Sequence, residues 1–202
     1  MPVNDKAPLE CEVLRDLLRQ ALAVPHQLMD PGGDRRSAVL LPFVVRPRGV
    51  QVVFVRKGKH LAKHAGQLGF PGGGLEIGES ALQAALREAE EEIALPRQSV
   101  EILGQLDDDR TFATTYHIAP LIGWIAQPPA IFHCDPGEIA SVHEVDAWSV
   151  LRAEPMSWLE WRILGVTLRA PRYRLVDSQG EALILWGASA RIVRNLQERA
   201  DW

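Results

Sequence analysis

Residues 73–95 read GGLEIGESALQAALREAEEEIAL. A glycine bend, Gly72-Gly73-Gly74 after Pro71, runs into the best helical pattern in the chain. Ser80 is suited to cap that helix, and Gln83, three residues on, stands where a capping-box partner belongs. Pro96 stops it. The pattern predicts a helix over 80–93. Leu82, Leu86, Ala89 and Ile93 step by four, three and four, a stripe expected to pack on a sheet. Glu88, Glu91 and Glu92 follow the same spacing on a face expected to point away from it.

Three carboxylates on one helix face repel, at roughly 0.2–0.5 kcal/mol per like-charged pair. A divalent cation removes that cost and gains oxygen ligands. Mg²⁺ suits carboxylates completed by waters and substrate phosphates. It would neutralise phosphate oxygens and activate a water. Arg87, four residues before Glu91, is placed to hold that carboxylate. The glycine bend can offer a backbone carbonyl to a metal, because no side chain blocks the approach. Taken alone, a Glu-rich helix is an ordinary solvated face.

Outward from this segment, 37–45 and 50–55 read as apolar strands joined through Arg46-Pro47-Arg48-Gly49 as a hairpin. The stretch 56–70 reads as a surface loop. Strands are expected over 100–106 and 117–125, separated by a polar loop with Asp107, Asp108 and Asp109. A further strand is expected over 139–145 and a short helix over 148–152. Strands 173–176 and 182–185 flank a hairpin turn, and a helix over 188–199 closes the chain. At the other end, apolar residues between Cys11 and Ala23 recur at helical spacing, and Pro25 ends that helix. Residues 1–36 thus form a helix and linker, followed by one domain over 37–202. Strands mixed with flanking helices make an α/β layered fold.

The 202 residues are 47% hydrophobic and 24% charged, enough for a sizeable core. The net charge of -4 excludes a basic footprint for nucleic acid. An acidic cluster attracts a polyphosphate only with a cation between them. Cys11 and Cys134 are isolated thiols, which fits a reducing cytoplasm rather than a disulfide scaffold or zinc site. No apolar run of membrane-spanning length and no secretory h-region occurs. The apolar N-terminal helix and the tryptophans are compatible with a homodimer.

The whole segment resembles the Nudix box, G-x5-E-x7-R-E-U-x-E-E-x-G-U, where U is a bulky apolar residue. Gly73, Glu79, Arg87, Glu88, Glu91 and Glu92 fall on its defining positions. Ala94 replaces its last glycine, and Ala89 is small for its apolar place. The resemblance implies an α/β/α sandwich around a mixed β-sheet. It also implies Mg²⁺ or Mn²⁺ and a nucleoside diphosphate linked to another group as substrate. Glu88, Glu91 and Glu92 then match the family's metal and base carboxylates, with Gly73 as a backbone ligand. Arg87 and Glu79 match its supporting pair. Glu88 is the first candidate for the general base, and Glu138 the second.

Residues 57–73 are similar to the segment R-[SA]-x3-R-x3-G-x3-F-P-G-G of coenzyme A pyrophosphatases in that family. Gly66, Phe70, Pro71, Gly72 and Gly73 fit it. Lys57 stands at the first arginine, Gly58 at the small residue and Ala62 at the second arginine. This implies cleavage of coenzyme A or an acyl derivative to 3′,5′-ADP and (acyl-)4′-phosphopantetheine. Arg56, Lys57, Lys63, His64, Gly66 and Phe70 would meet the substrate. The alternatives are ADP-ribose or a dinucleotide as substrate, or a non-catalytic nucleotide-binding module. His60 and His64, four apart, lack a third ligand nearby to make a metal pair. Trp148, Trp158, Trp161 and Trp186 are read as packing residues before base-stacking ones.

Overall fold

In the computed structural model, residues 7–61, 64–111, 115–163 and 166–200 are described. The elements in chain order are α1 (Ala7–Ala23), β1 (Arg35–Arg46), β2 (Gly49–Lys57), β3 (Leu68–Gly69), β4 (Gly72–Gly74), α2 (Ala81–Ile93), β5 (Glu101–Gln105), β6 (Asp109–Thr111), β7 (Tyr116–Ile125), β8 (Ile139–Asp146), α3 (Ala147–Leu151), β9 (Ser157–Ile163), β10 (Val166–Val176), β11 (Ala182–Leu185) and α4 (Ala188–Ala200). The large sheet is mixed. β1 runs parallel to β7 and antiparallel to β2 and β4, and β8 extends the sheet beyond β2. A second, antiparallel sheet has the order β11-β10-β9.

Helices cover both faces of the large sheet, which gives the expected α/β/α layering. On one face, Ala84, Ala85, Ala89 and Ile93 of α2 pack with Leu40, Val53 and Val55. On the other, Leu14 and Leu18 of α1 share a core with Phe43, Phe54 and Ile192 and Leu196 of α4. Arg15 and Arg19 tie α1 to Glu101 on β5.

The face of α2 that packs differs from the expected stripe. Ala84, Ala85, Ala89 and Ile93 are fully buried, while Leu82 is 41% exposed. Alanines let the helix axis approach the sheet closely, and the larger leucines are left to its flank. The same rotation carries Glu92 inward, to 2% exposure, rather than away from the sheet. Ser80 and Gln83 form the expected capping box.

Two short strands, β3 and β6, lie in segments read as loops. β9 and the first half of β10 fall where no element is expected, and Pro171 stands inside β10 although proline is disfavoured in a paired strand. The register explains the exception. Pro171 pairs with Trp158 on β9, but β11 first pairs at Tyr173, so one side of β10 has no partner strand at the proline.

Ala94 closes α2 in the left-handed conformation, at φ 53° and ψ 36°. This is the box position where glycine is usual, and a Cβ there is strained by about 1–2 kcal/mol. Ala94→Gly is therefore expected to stabilise the protein by about 1 kcal/mol, offset in part by unfolded-chain entropy. Urea melts of the two proteins check this; a lower midpoint for the glycine variant would contradict it.

Candidate active site

Arg87 organises the exposed end of the site. Its Nε and Nη2 donate to the two oxygens of Glu79 at 2.9 and 3.0 Å. Its Nη1 donates to Glu88 Oε1 and Glu91 Oε2, both at 3.0 Å, and Nη2 also reaches the Gly74 carbonyl at 3.0 Å. One planar guanidinium thus fixes three carboxylates and the glycine bend together. The Arg87 hydrogen bond, with the Glu76 N–H, holds the Glu79 carboxyl below its ordinary range.

Glu92 is the buried member. It accepts from Lys57 Nζ through Oε1 and from the Gly72 N–H at 3.2 Å through Oε2. Burial pushes its carboxyl up to about 7, against the pull of the Lys57 ammonium and the Gly72 N–H. Burial likewise raises Glu88, against Arg87. For Lys57, burial favours the neutral amine, but Glu92, Glu138 and Glu88 together outweigh it and raise its pKa. Glu138 lies across from Glu92, at 3.5 Å from Lys57 Nζ. Glu91, by contrast, has a side chain 59% exposed.

The glycines are required by contact. A Cβ on Gly73 would sit 2.4–2.6 Å from the carboxylate atoms of Glu88. The Glu88 carboxylate therefore lies directly against the bend. The donors gathered here, carboxylates with peptide groups beside them, are hard oxygens of the kind that hold Mg²⁺ or Mn²⁺. Glu88, Glu91 and Glu92 are not packed together: Arg87 draws the first two to one side, and Lys57 holds the third on the other.

A cleft of about 290 Å³ opens beside the bend. Lys57, His64, Gln67, Phe70, Tyr116 and Ser189 contribute to its lining. Of the residues expected to meet substrate, Lys57, His64 and Phe70 are there. Phe70 also stacks on Phe54, with centroids 4.8 Å apart. Gly66 instead makes a turn at φ 69°, its N–H donating to the Lys57 carbonyl at 3.1 Å. Arg56 points elsewhere and pairs with Glu181 at 2.8 Å. Lys63 and Ala62 lie outside the described residues. His60 bonds the Gly137 carbonyl and His64 bonds Gln67, so the two histidines do not converge.

Tyr116 and Ser189 were not anticipated. They start β7 and follow the first residue of α4, and no local pattern links either to the glycine bend. Neither Trp148 nor Trp158 lines the cleft; each carries an arginine over its ring, Arg152 at 4.5 Å and Arg169 at 5.3 Å. The side chain of Trp161 lies outside the described set.

Arg87→Lys would keep the charge and lose the fork. With Glu79, Glu88 and Glu91 no longer held by one plane, turnover is expected to fall by about 10–100-fold. Steady-state kinetics check this, and an unchanged kcat would remove Arg87 from the machinery.

The NUDIX domain family matches residues 34–163 of the chain. The chain is 36% identical over 170 residues to a Nudix hydrolase, NudL, of Yersinia enterocolitica, covering 83% of each protein. It is 36% identical over 181 residues to the NudL of Escherichia fergusonii, covering 89% of this chain and 90% of that protein. The crystal structure of a MutT/nudix family protein from Enterococcus faecalis is similar in fold, with a TM-score of 0.52 at 14% identity. That match covers 87% of this chain and 66% of the other.

Proposed function

The chain belongs to the Nudix family, and from that premise we propose that it hydrolyses the pyrophosphate bond of coenzyme A or an acyl-coenzyme A. It is a pyrophosphohydrolase acting on a nucleoside diphosphate derivative. The products of the proposed reaction are 3′,5′-ADP and (acyl-)4′-phosphopantetheine. The observation that carries the reading is the contact of Glu88 and Glu92 with the glycine bend that lines the Lys57 cleft, with Arg87 joining Glu91 to Glu88. The match of residues 57–73 to the coenzyme A segment supports the choice of substrate.

In this reading Glu88, Glu91, Glu92 and the Gly73 carbonyl hold Mg²⁺ or Mn²⁺. When bound, such a cation neutralises phosphate oxygens and lowers the pKa of a water. Arg87 and Glu79 orient the carboxylates. Lys57 and His64, on the cleft wall, face the diphosphate, and Phe70 closes the apolar side. Glu88 takes the proton of the attacking water as the anhydride P–O bond breaks. Glu138, with its side chain 54% exposed, is the second candidate.

Ala62, at the second arginine of the coenzyme A segment, favours a second reading: the same chemistry on ADP-ribose or a dinucleotide. No helix among the described residues is long and apolar enough to cross a membrane. The isolated cysteines support a cytoplasmic place for the enzyme. The apolar face of α1 is spent on the protein's own core, so the support for a homodimer comes from the exposed Trp158 and Trp186.

Incubation with coenzyme A, ADP-ribose and NADH separately, with Mg²⁺ or with chelator, tests this by product mass. We expect 3′,5′-ADP from coenzyme A, with a loss of at least about a hundredfold on chelation. Cleavage of the others alone would select the second reading, and no cleavage of any would refute both.

A further inference from the structure

On the sheet face opposite α2, a second group of ligand-type side chains comes together. His143 on β8 pairs with Phe54 in register, and Phe54 belongs to the core under α1 and α4. His143 Nδ1 lies 2.8 Å from Asp177 Oδ2, and its Nε2 lies 2.8 Å from Ser141 Oγ. Asp177 and Glu181 stand on the turn between β10 and β11. Ligand atoms of His143, Asp177 and Glu181 all fall within 4.8 Å of one another, and among the described residues they form the one such group of three.

A buried His–Asp pair is ordinarily a satisfied polar contact in a core. Three further features set this one apart. Asp177 Oδ1 is saturated by the N–H groups of Gln179 and Glu181, at 2.9 and 2.8 Å, so the turn itself aims Oδ2 at the imidazole. Ser141 Oγ stands where it can accept from Nε2, so the ring proton that Nδ1 donates to Asp177 has a second position to occupy when a cation takes the Nδ1 lone pair. Glu181 adds a second carboxylate from the solvent side, held by Arg56 at 2.8 Å. His143 and Asp177 are 5% and 8% exposed, so the floor of the group is rigid while its third member is accessible.

We propose that His143 Nδ1, Asp177 Oδ2 and a Glu181 oxygen form a second cation site, taking a Zn²⁺-type transition metal. An imidazole beside two carboxylates suits Zn²⁺ or Co²⁺ better than Mg²⁺, which prefers oxygen alone. Three protein ligands leave a position for water on the Glu181 side. On binding, Nδ1 gives up the proton it donates to Asp177 and the neutral ring carries its one proton at Nε2 instead, where Ser141 Oγ accepts it, so no net proton is lost. Glu181 then exchanges the Arg56 guanidinium for the cation.

The test uses the full chain carrying Glu91→Gln and Glu92→Gln, so that the proposed site on α2 is silenced and the outcome does not depend on the hydrolase reading. Co²⁺ is titrated by visible absorption and Zn²⁺ by calorimetry. We expect one cation per chain. Adding Glu181→Gln should weaken binding at least about tenfold, and adding His143→Gln should abolish it. Circular dichroism establishes that each variant is folded. Should His143→Gln not fold, the exposed Glu181→Gln still decides. Absence of binding, or a titration left unchanged by either substitution, overturns the site.

Discussion

Glu92→Gln is expected to lower kcat by at least about a hundredfold while the protein stays folded. The amide keeps the shape of the carboxyl and removes the charge. Glu92 is the most buried of the carboxylates on α2, and its place is set by Lys57 on β2 and the Gly72 N–H. An amide there cannot replace an anionic oxygen toward a divalent cation. Stability should change little, because burial already pushes the acid up to about 7 and Lys57 retains Glu138 at 3.5 Å. We expect Tm to move within about 4 °C, roughly 1 kcal/mol for a chain of this size. Glu91→Gln supplies the companion measurement. Its side chain is 59% exposed, so a comparable loss of turnover there cannot be ascribed to the core. Full activity in either variant, with Mg²⁺ present, would sink the assignment of these carboxylates to the metal.

Gly72→Ala is expected to destabilise the protein by about 3 kcal/mol or more. Gly72 has φ 155° and pairs with Val39 where β4 joins the centre of the sheet. A Cβ would lie 2.4 Å from the Ala38 carbonyl oxygen and 2.7 Å from Val39 Cα. Both are backbone atoms of β1, which is locked to β7 along its length, so neither can give way. Thermal melting would then shift down by about 6–12 °C. Activity should fall as well, since the Gly72 N–H anchors Glu92. Gly73→Ala separates the two effects. Its Cβ meets the Glu88 carboxylate rather than a strand, so turnover should drop more than stability does. A Gly72→Ala protein that melts like the wild type would show that β4 is free to shift.

Residues 73–95 by themselves determined the helix, its cap, its end and the kinds of chemical group it carries. These are local matters: capping spans three residues, and the order of glutamates along a helix is independent of what the helix touches. The hairpin of β1 and β2 and the closing helix were legible for the same reason. Which face of α2 turns inward was not. The apolar count favoured the leucines, but the sheet accepts the close approach that only alanines permit, and that choice buries Glu92 and brings Lys57 to it. Nor could spacing show that Arg56 turns away to Glu181 while Lys57 enters the cleft, because the two are adjacent on a strand and their sides depend on how β2 lies between β1 and β8. Tyr116 and Ser189 reach the cleft only through the register of β7 with β1 and the docking of α4. Local sequence determined the reactive groups, and long-range pairing, set by the packing of small against large side chains, decided which of them meet.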